Sequence, residues 1–479
     1  MSCTHYHPRA PERTVLHACV ARHWPRVRER CEAWHRPLPS FVEREFDSYL
    51  RCGMLEHGFA RVHCAGCGHD RLVAFSCKGR GFCPSFGGRR MHEGAAWLCN
   101  RVLPEVPLRQ WVLSLPKVLR YVLAYDGALC RAVSAAATRE IFHFQRMQAR
   151  HILGLRSTRL AHVGAMVAVQ RFGGALNLNI HFHALHFDGV YVLDAFGQPT
   201  FFELPAPTLE DLNQLAGRIA AAVLDLLQKR GIWLEDADEE DPVALRNPAL
   251  AGMARASIAG NLVFGKAGAK PVRLQDVRPW VAPQVERAGK ALGFVLDAEV
   301  RVTAHDRLHR ERLCRYLLRP PLAKARLHET MDGRYALELK NPWPDGTRVI
   351  FFSGEELVAR LTALVPPPRM HLVHYFFGCL APNARLRRLI VPVPPDAEHG
   401  SDDPCGHSVA WEQTSTGRTI RRTWVPWATL LMRVFAIDVL ECPKCASRMQ
   451  RIAVIMRPDV IQAILACVRG KAPPEGEAG

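Results

Sequence analysis

Leu176-Asn177-Leu178-Asn179-Ile180-His181-Phe182-His183-Ala184 alternates apolar residues at even positions with polar ones at odd positions. That is the period of a half-buried strand, with one face on a core and the other open. His181 and His183 therefore share a face, with Asn177 and Asn179 behind them. Two imidazoles at adjacent same-face positions can hold one divalent ion with little rearrangement. A hard ion such as Mg²⁺ or Mn²⁺ also needs an oxygen ligand, and Asp188 and Gln170 are the candidates. The bland alternative is a pair of imidazoles that merely hydrogen-bond on a sheet face. A bound ion there would polarise a phosphoryl oxygen.

Outward from this strand, residues 110–115, 163–171, 176–185 and 189–193 all have strand character, with a helix over 128–153 between the first two. This order predicts an α+β fold with an antiparallel sheet and helices on one face. A capped helix follows at 208–230, then an acidic loop with Glu235, Asp236, Asp238, Glu239, Glu240 and Asp241. Residues 242–290 carry no clear pattern, and 294–302 returns to strand. Asp306 caps a helix reaching Leu318, which Pro320-Pro321 stops. Segments 334–340 and 347–352 read as a hairpin joined through Pro344-Asp345-Gly346. Four regions result: a helical and zinc-binding region at 1–105, a catalytic domain at 106–330 with an insertion near 206–290, an accessory DNA-binding region at 331–430, and a C-terminal segment at 431–479.

The 479 residues carry a formal charge of +17, and 53 of the 63 basic residues are Arg. Guanidinium forks match phosphate geometry, so nucleic acid is the expected partner, although a GC-rich genome also inflates Arg. No apolar run approaches the ~18 residues of a membrane span, and the first residues lack the apolar stretch of a secretory signal. A cytoplasmic, nucleoid-associated protein is expected. Its sixteen cysteines are then thiols or metal ligands rather than disulfides. Cys64-Ala-Gly-Cys67, followed by Cys77 and Cys83, is expected to hold Zn²⁺ in a glycine-rich stretch too poor in apolar residues to hold itself together. His63, His69 and His92 are reserve ligands. Arg80, Arg89 and Arg90 decorate this module and suit contact with phosphates. Cys442-Pro-Lys-Cys445 is a second pair without evident partners.

A tyrosine on a helix is ordinarily a packing residue. Tyr316, however, lies on a helix crowded with Arg307, Arg310, Arg312, Arg315 and Arg319. Phenol has a pKa near ~10, so an attacking phenolate needs positive charge or a metal nearby. Arg312 lies one turn before Tyr316 and Arg319 nearly one turn after, with Arg315 adjacent. These guanidinium groups also suit the phosphates of a DNA strand.

His181-Phe182-His183 with Tyr316 in Cys314-Arg315-Tyr316-Leu317-Leu318-Arg319-Pro320-Pro321 resembles the HUH endonuclease superfamily. More narrowly, the chain is similar to rolling-circle insertion-sequence transposases with an N-terminal zinc-binding domain. The similarity runs through Phe75-Ser76-Cys77-Lys78, Phe82-Cys83-Pro84-Ser85, Trp111-Val112-Leu113-Ser114-Leu115-Pro116, Gln170-Arg171-Phe172-Gly173, Asp345-Gly346-Thr347, Leu380-Ala381-Pro382-Asn383-Ala384 and Leu440-Glu441-Cys442-Pro443. It implies nicking of single-stranded DNA at mobile-element ends, a 5′-phosphotyrosine intermediate and transfer of the strand to target DNA. His181 and His183 would be metal ligands and Tyr316 the nucleophile. Two departures stand out. The second tyrosine of some relatives is replaced here, since the positions four residues away are Arg312 and Pro320. The family's zinc pattern tends to close with C-x2-C, whereas Phe86 stands where the last cysteine belongs. A rolling-circle plasmid replication initiator would share the same parts. A metallohydrolase using His181, His183, His186 and Asp188 would leave Tyr316 without a task. A catalytically inactive, zinc-dependent DNA-binding protein is the third alternative.

Overall fold

A computed structural model describes residues 10–232, 241–275, 288–370, 375–392, 408–413, 419–424 and 438–469. The acidic residues at 235–240 and the tail beyond 470 lie outside the described residues. The fold is mixed α+β with antiparallel sheets.

At its centre is the strand Leu178–Phe187, flanked by Leu108–Ser114 on one side and Gly164–Phe172 on the other. Phe294–Asp297 and Gly289–Ala291 extend the sheet at one edge, and Tyr375–Gly378 at the other. The even residues Ile180, Phe182 and Ala184 face the main core, where they meet Leu119, Leu123, Leu129 and Val133 from helices Lys117–Tyr125 and Gly127–Ile152. The helix expected over 128–153 is present as Gly127–Ile152; Asp126 caps it, its carboxylate accepting from the Leu129 N–H at 2.8 Å, and the separate shorter helix Lys117–Tyr125 precedes it.

The odd-numbered face is not open. Leu185 and Phe187 pack with Leu98, Leu103, Leu313 and Leu317 from helices Pro84–Arg101 and Arg307–Leu318. The sheet is therefore covered on both faces, not one. The physical reason lies in the basic helix itself. Leu313, Cys314 and Leu317 give it an apolar stripe that needs burial, and they pack in one cluster with Leu185 and Phe187 of the central strand and Met166, Ala168 and Leu108 of its neighbours. Gly87 allows the two helices to close on this face, because a Cβ there would meet Pro320 Cβ at 2.7 Å.

Other expectations hold locally. The helix Leu209–Lys229 starts with a capping box between Thr208 and Asp211, and Asp306 accepts from the His309 N–H at 2.9 Å. Strand Gly189–Leu193 leaves the sheet to pair with Pro199–Glu203. The hairpin Tyr335–Glu338 and Thr347–Phe352 gains Leu327–Glu329 and Val272–Gln275 as outer strands. Near the N-terminus, hairpin strands Phe59–His63 and Asp70–Ala74 take Gln450–Ile455 as a third strand. The C-terminal segment is thus built into the N-terminal module, with Ile455 opposite Phe59 and Gln450 opposite His63. Among the described residues no helix is long and apolar enough to cross a membrane.

Candidate active site

His181 and His183 stand side by side, ring centroids 4.8 Å apart, and are only 8% and 3% exposed. Burial pulls the His181 imidazole down to about 4, the nearby Arg319 adding to it while the Asn179 carbonyl opposes it. Burial likewise brings His183 down to about 2, helped by His181 and Arg319. Both rings are therefore neutral at physiological pH and keep a lone pair for a ligand. His181 Nδ1 lies 2.9 Å from the Asn179 carbonyl oxygen. A carbonyl only accepts, so Nδ1 carries the proton and Nε2 the lone pair. His183 Nδ1 lies 2.8 Å from the Gln110 amide nitrogen. With that amide turned over, its oxygen accepts from Nδ1–H and frees Nε2, which is buried without a hydrogen-bond partner among the described residues.

Gln170 is directly opposite His181 in strand register. Its Nε2 donates to the carbonyls of Tyr316 and Leu317, each at 3.0 Å. These belong to the last turn of the tyrosine helix, where carbonyls have no intrahelical partner. Its Oε1 is buried with no hydrogen-bond partner among the described residues, as is the Asn179 Oδ1. One amide thus ties the tyrosine helix to the histidine strand and leaves an oxygen spare. Asp188 is placed differently. It is five residues beyond His183 on extended chain, roughly 16 Å along the strand. There Arg109 binds it through two contacts at 2.6 and 3.0 Å, and Arg301 through a third at 2.6 Å. Its carboxylate is consumed by that buried ion network, so of the two oxygen candidates the geometry favours Gln170.

Tyr316 is half-buried on the facing helix, its ring edge-on to His183 at 5.5 Å. The Arg319 guanidinium lies over the ring at 4.2 Å and the Lys340 ammonium at 5.1 Å. Lys340 was not expected from the sequence, since only the hairpin topology carries it to this helix. Gln110 was also missed, although a polar amide directly before the apolar stretch Trp111–Leu113 on a strand was a signal. A cleft opens beside the tyrosine helix, lined by Gly79, Gly81, Arg90, Gln170, Phe172 and Arg319.

The expected DNA-binding arginines divide into two sets. Arg319 stacks on Tyr316 and also lies over Phe172 at 5.6 Å, and its Nε has no hydrogen-bond partner among the described residues. Arg90 lines the cleft over Phe86, and the Nε of Arg89 is likewise unpartnered. Arg312 is exposed, and Arg315 reaches Glu311 at 3.9 Å. Arg80 is committed to the fold, donating to the carbonyls of Met370 at 2.8 Å and Pro367 at 3.2 Å.

The expected four-cysteine set of Cys64, Cys67, Cys77 and Cys83 is divided by the structure. Cys64 and Cys67 sit at the tip of the hairpin, whereas Cys77 and Cys83 follow its second strand at the opposite end. The added strand Gln450–Ile455 brings Cys442 and Cys445 to the tip instead. All four sulfurs lie within 4.8 Å of one another, with Cys64 to Cys445 and Cys67 to Cys442 both at 3.5 Å. A Zn–S bond of ~2.3 Å places tetrahedral sulfurs about 3.8 Å apart, so the set fits zinc. The Ser447 hydroxyl and amide lower the Cys445 thiol to about 6, toward the thiolate that a metal requires. Cys77 and Cys83 gather instead with Cys52, which the spacing did not suggest. His63 is paired with Asp70 at 2.9 Å rather than with a cysteine.

Family models match two parts of this chain. The model described as "Transposase zinc-binding domain", that of the IS91 family, matches residues 19–115, and the model described as "Putative transposase" matches residues 164–387. These two stretches of the chain are similar to transposase domains. The second match spans Gln170, His181, His183, Tyr316, Arg319 and Lys340, and the first spans Cys52, Cys64, Cys67, Cys77 and Cys83. Cys442 and Cys445 lie outside both matches. No curated protein and no solved structure matches the chain.

Proposed function

We propose that this protein is a transposase that nicks and rejoins single-stranded DNA at mobile-element ends, with Tyr316 as nucleophile, in the manner of HUH rolling-circle enzymes. The observation that carries the reading is the contact between Tyr316 and His183, with rings 5.5 Å apart and an unpartnered His183 Nε2 beside them. His181 Nε2, His183 Nε2 and Gln170 Oε1 would hold one Mg²⁺ or Mn²⁺. When bound, that ion supplies Lewis-acid polarisation of the scissile phosphate. Tyr316 Oη attacks phosphorus, an Oη–P bond forms, and the P–O3′ bond breaks to release a 3′-hydroxyl on the departing strand. The phenol proton is lost as the 3′-oxygen gains one, and the phosphotyrosine keeps the energy of the phosphodiester. Reversal by another 3′-hydroxyl rejoins DNA and frees Tyr316. Arg319 and Lys340 stabilise negative charge at the phenol and at the incoming phosphate. Phe172 and Arg319 offer stacking faces for an unpaired base beside the site. Zn²⁺ would be held by Cys64, Cys67, Cys442 and Cys445 and would lock the hairpin to the C-terminal strand.

An HUH plasmid replication initiator would use the same residues, but the match to transposase domains favours mobile-element ends. The deciding experiment traps the protein on single-stranded oligonucleotides carrying element ends, with Mg²⁺ or Mn²⁺, and maps the adduct by mass spectrometry. A 5′-phosphate on the peptide containing Tyr316 is expected. An adduct on another residue, or hydrolysis without any adduct, would reject the reading.

A further inference from the structure

Cys52, Cys77 and Cys83 form a thiol cluster that the chemistry above does not use. Their sulfurs all lie within 4.8 Å of one another, Cys52 to Cys83 at 3.6 Å. They come from three separate pieces of chain. Cys52 follows the helix Ser40–Leu50, Cys77 lies in the loop after the hairpin, and Cys83 caps the helix Pro84–Arg101. Cys52 and Cys83 are 5% and 4% exposed and share a buried cluster with Phe46, Tyr49 and Phe82.

Two backbone amides are aimed at the sulfurs. The Cys77 N–H points to Cys52 Sγ at 3.2 Å, and the Phe86 N–H to Cys83 Sγ at 3.5 Å. A thiol is a weak acceptor and a thiolate a strong one, so this arrangement serves the deprotonated form. Cys83 also stands at a helix N-terminus, whose partial positive charge stabilises a thiolate. Without a cation the site resists deprotonation, Cys52 and burial pushing the Cys83 thiol up and Cys52 and Cys83 doing the same to Cys77, although the amides are placed for thiolates. A soft divalent metal removes that conflict.

The chain itself offers a comparison. Cys442-Pro443-Lys444-Cys445 presents two sulfurs, whereas Cys83-Pro84-Ser85-Phe86 has the same Cys-Pro start and ends on a ring. The second cluster is therefore one thiolate short of the four that structural zinc favours. We propose that Cys52, Cys77 and Cys83 form a second zinc site, independent of the four-cysteine centre, whose fourth position is not filled by a cysteine. Binding releases the thiol protons to solvent. Cys83 lines the cleft together with Gly79, Arg80 and Gly81. Zinc here would fix the loop that carries Arg80 and set Arg90, on the helix that Cys83 caps, against the tyrosine helix. The inference does not depend on the chemistry assigned to Tyr316.

The test is zinc stoichiometry of the full-length protein by native mass spectrometry and elemental analysis. Two zinc ions per chain are expected in the unaltered protein. Cys442→Ser/Cys445→Ser should retain one ion and Cys52→Ser/Cys83→Ser the other. Phe86→Cys should slow zinc loss to a chelator at least tenfold by supplying the fourth thiolate. Should a substituted protein fail to fold, the unaltered one still decides. Stepwise Co²⁺ uptake with two distinct thiolate charge-transfer bands supports the site. A single zinc per chain, or a Cys52–Cys83 disulfide found by peptide mapping, would overturn it. So would two zinc ions retained by Cys52→Ser/Cys83→Ser.

Discussion

The histidine–tyrosine centre and the four-cysteine centre stand on different scaffolds. His181 and His183 rise from the middle of a buried strand, and Tyr316 from a helix packed against it through Leu313 and Leu317. The cysteines occupy two turns at a hairpin tip, backed by a small core of Val62, Val73, Val439 and Met449. The first centre is held in place by packing that does not need a metal, while the second has little besides the metal to hold it. Ion removal should therefore silence one centre and loosen the other.

The largest effect tests the first half of that contrast. Tyr316→Phe keeps the ring against His183 and Arg319 but removes Oη, so adduct formation should fall by about 10³-fold or more, while DNA affinity stays within about threefold. Adducts persisting on oligonucleotides would place the nucleophile elsewhere. Next, His183→Ala should reduce cleavage by roughly 10²-fold or more without rescue by added Mn²⁺, and Gln170→Ala by roughly 10-fold or more. Equal and trivial losses from both would remove the metal from this centre.

Cys445→Ser addresses the other half. It should release one zinc per chain and speed proteolysis within residues 438–469, leaving hydrogen-exchange protection of Leu178–Phe187 unchanged. Loss of protection in both regions would show one cooperative unit rather than two differently supported ones.

The smallest effect is in acid. Burial pulls the His186 imidazole down to about 3 from its ordinary 6.5. The unfolded chain binds this proton below about 6.5, and the folded chain only near 3. Stability is therefore complete above pH 6.5 and falls as pH drops from 6.5 toward 3. His181 and His183 act with the same sign. The melting temperature should fall between pH 7 and pH 5 without added Mg²⁺ or Mn²⁺, and His186→Gln should reduce that fall. A flat profile would mean that these imidazoles are not buried in solution.

Local patterns disclosed the parts whose partners are close in sequence. Alternation at 176–184 determined that His181 and His183 share a face, because side-chain direction in a strand reverses at each residue. Asp306 and Thr208 marked helix starts, because a cap acts on amides two or three residues away. The same logic misread the cysteines. Cys64 and Cys67 were joined to Cys77 and Cys83 by proximity in sequence, yet hairpin strands of five residues separate the two pairs.

What the amino-acid sequence determined by itself was the chemistry on offer: paired imidazoles, a phenol among guanidinium groups, and thiols at metal spacing. Tertiary structure alone decided the company each group keeps. It buried the supposedly open strand face beneath the tyrosine helix, tied Asp188 to Arg109 and Arg301, and carried Lys340 onto Tyr316. It also brought Cys442 and Cys445 across nearly the whole chain to Cys64 and Cys67. Strand pairing and apolar burial depend on which surfaces meet, and no local pattern encodes a meeting between residues hundreds of positions apart.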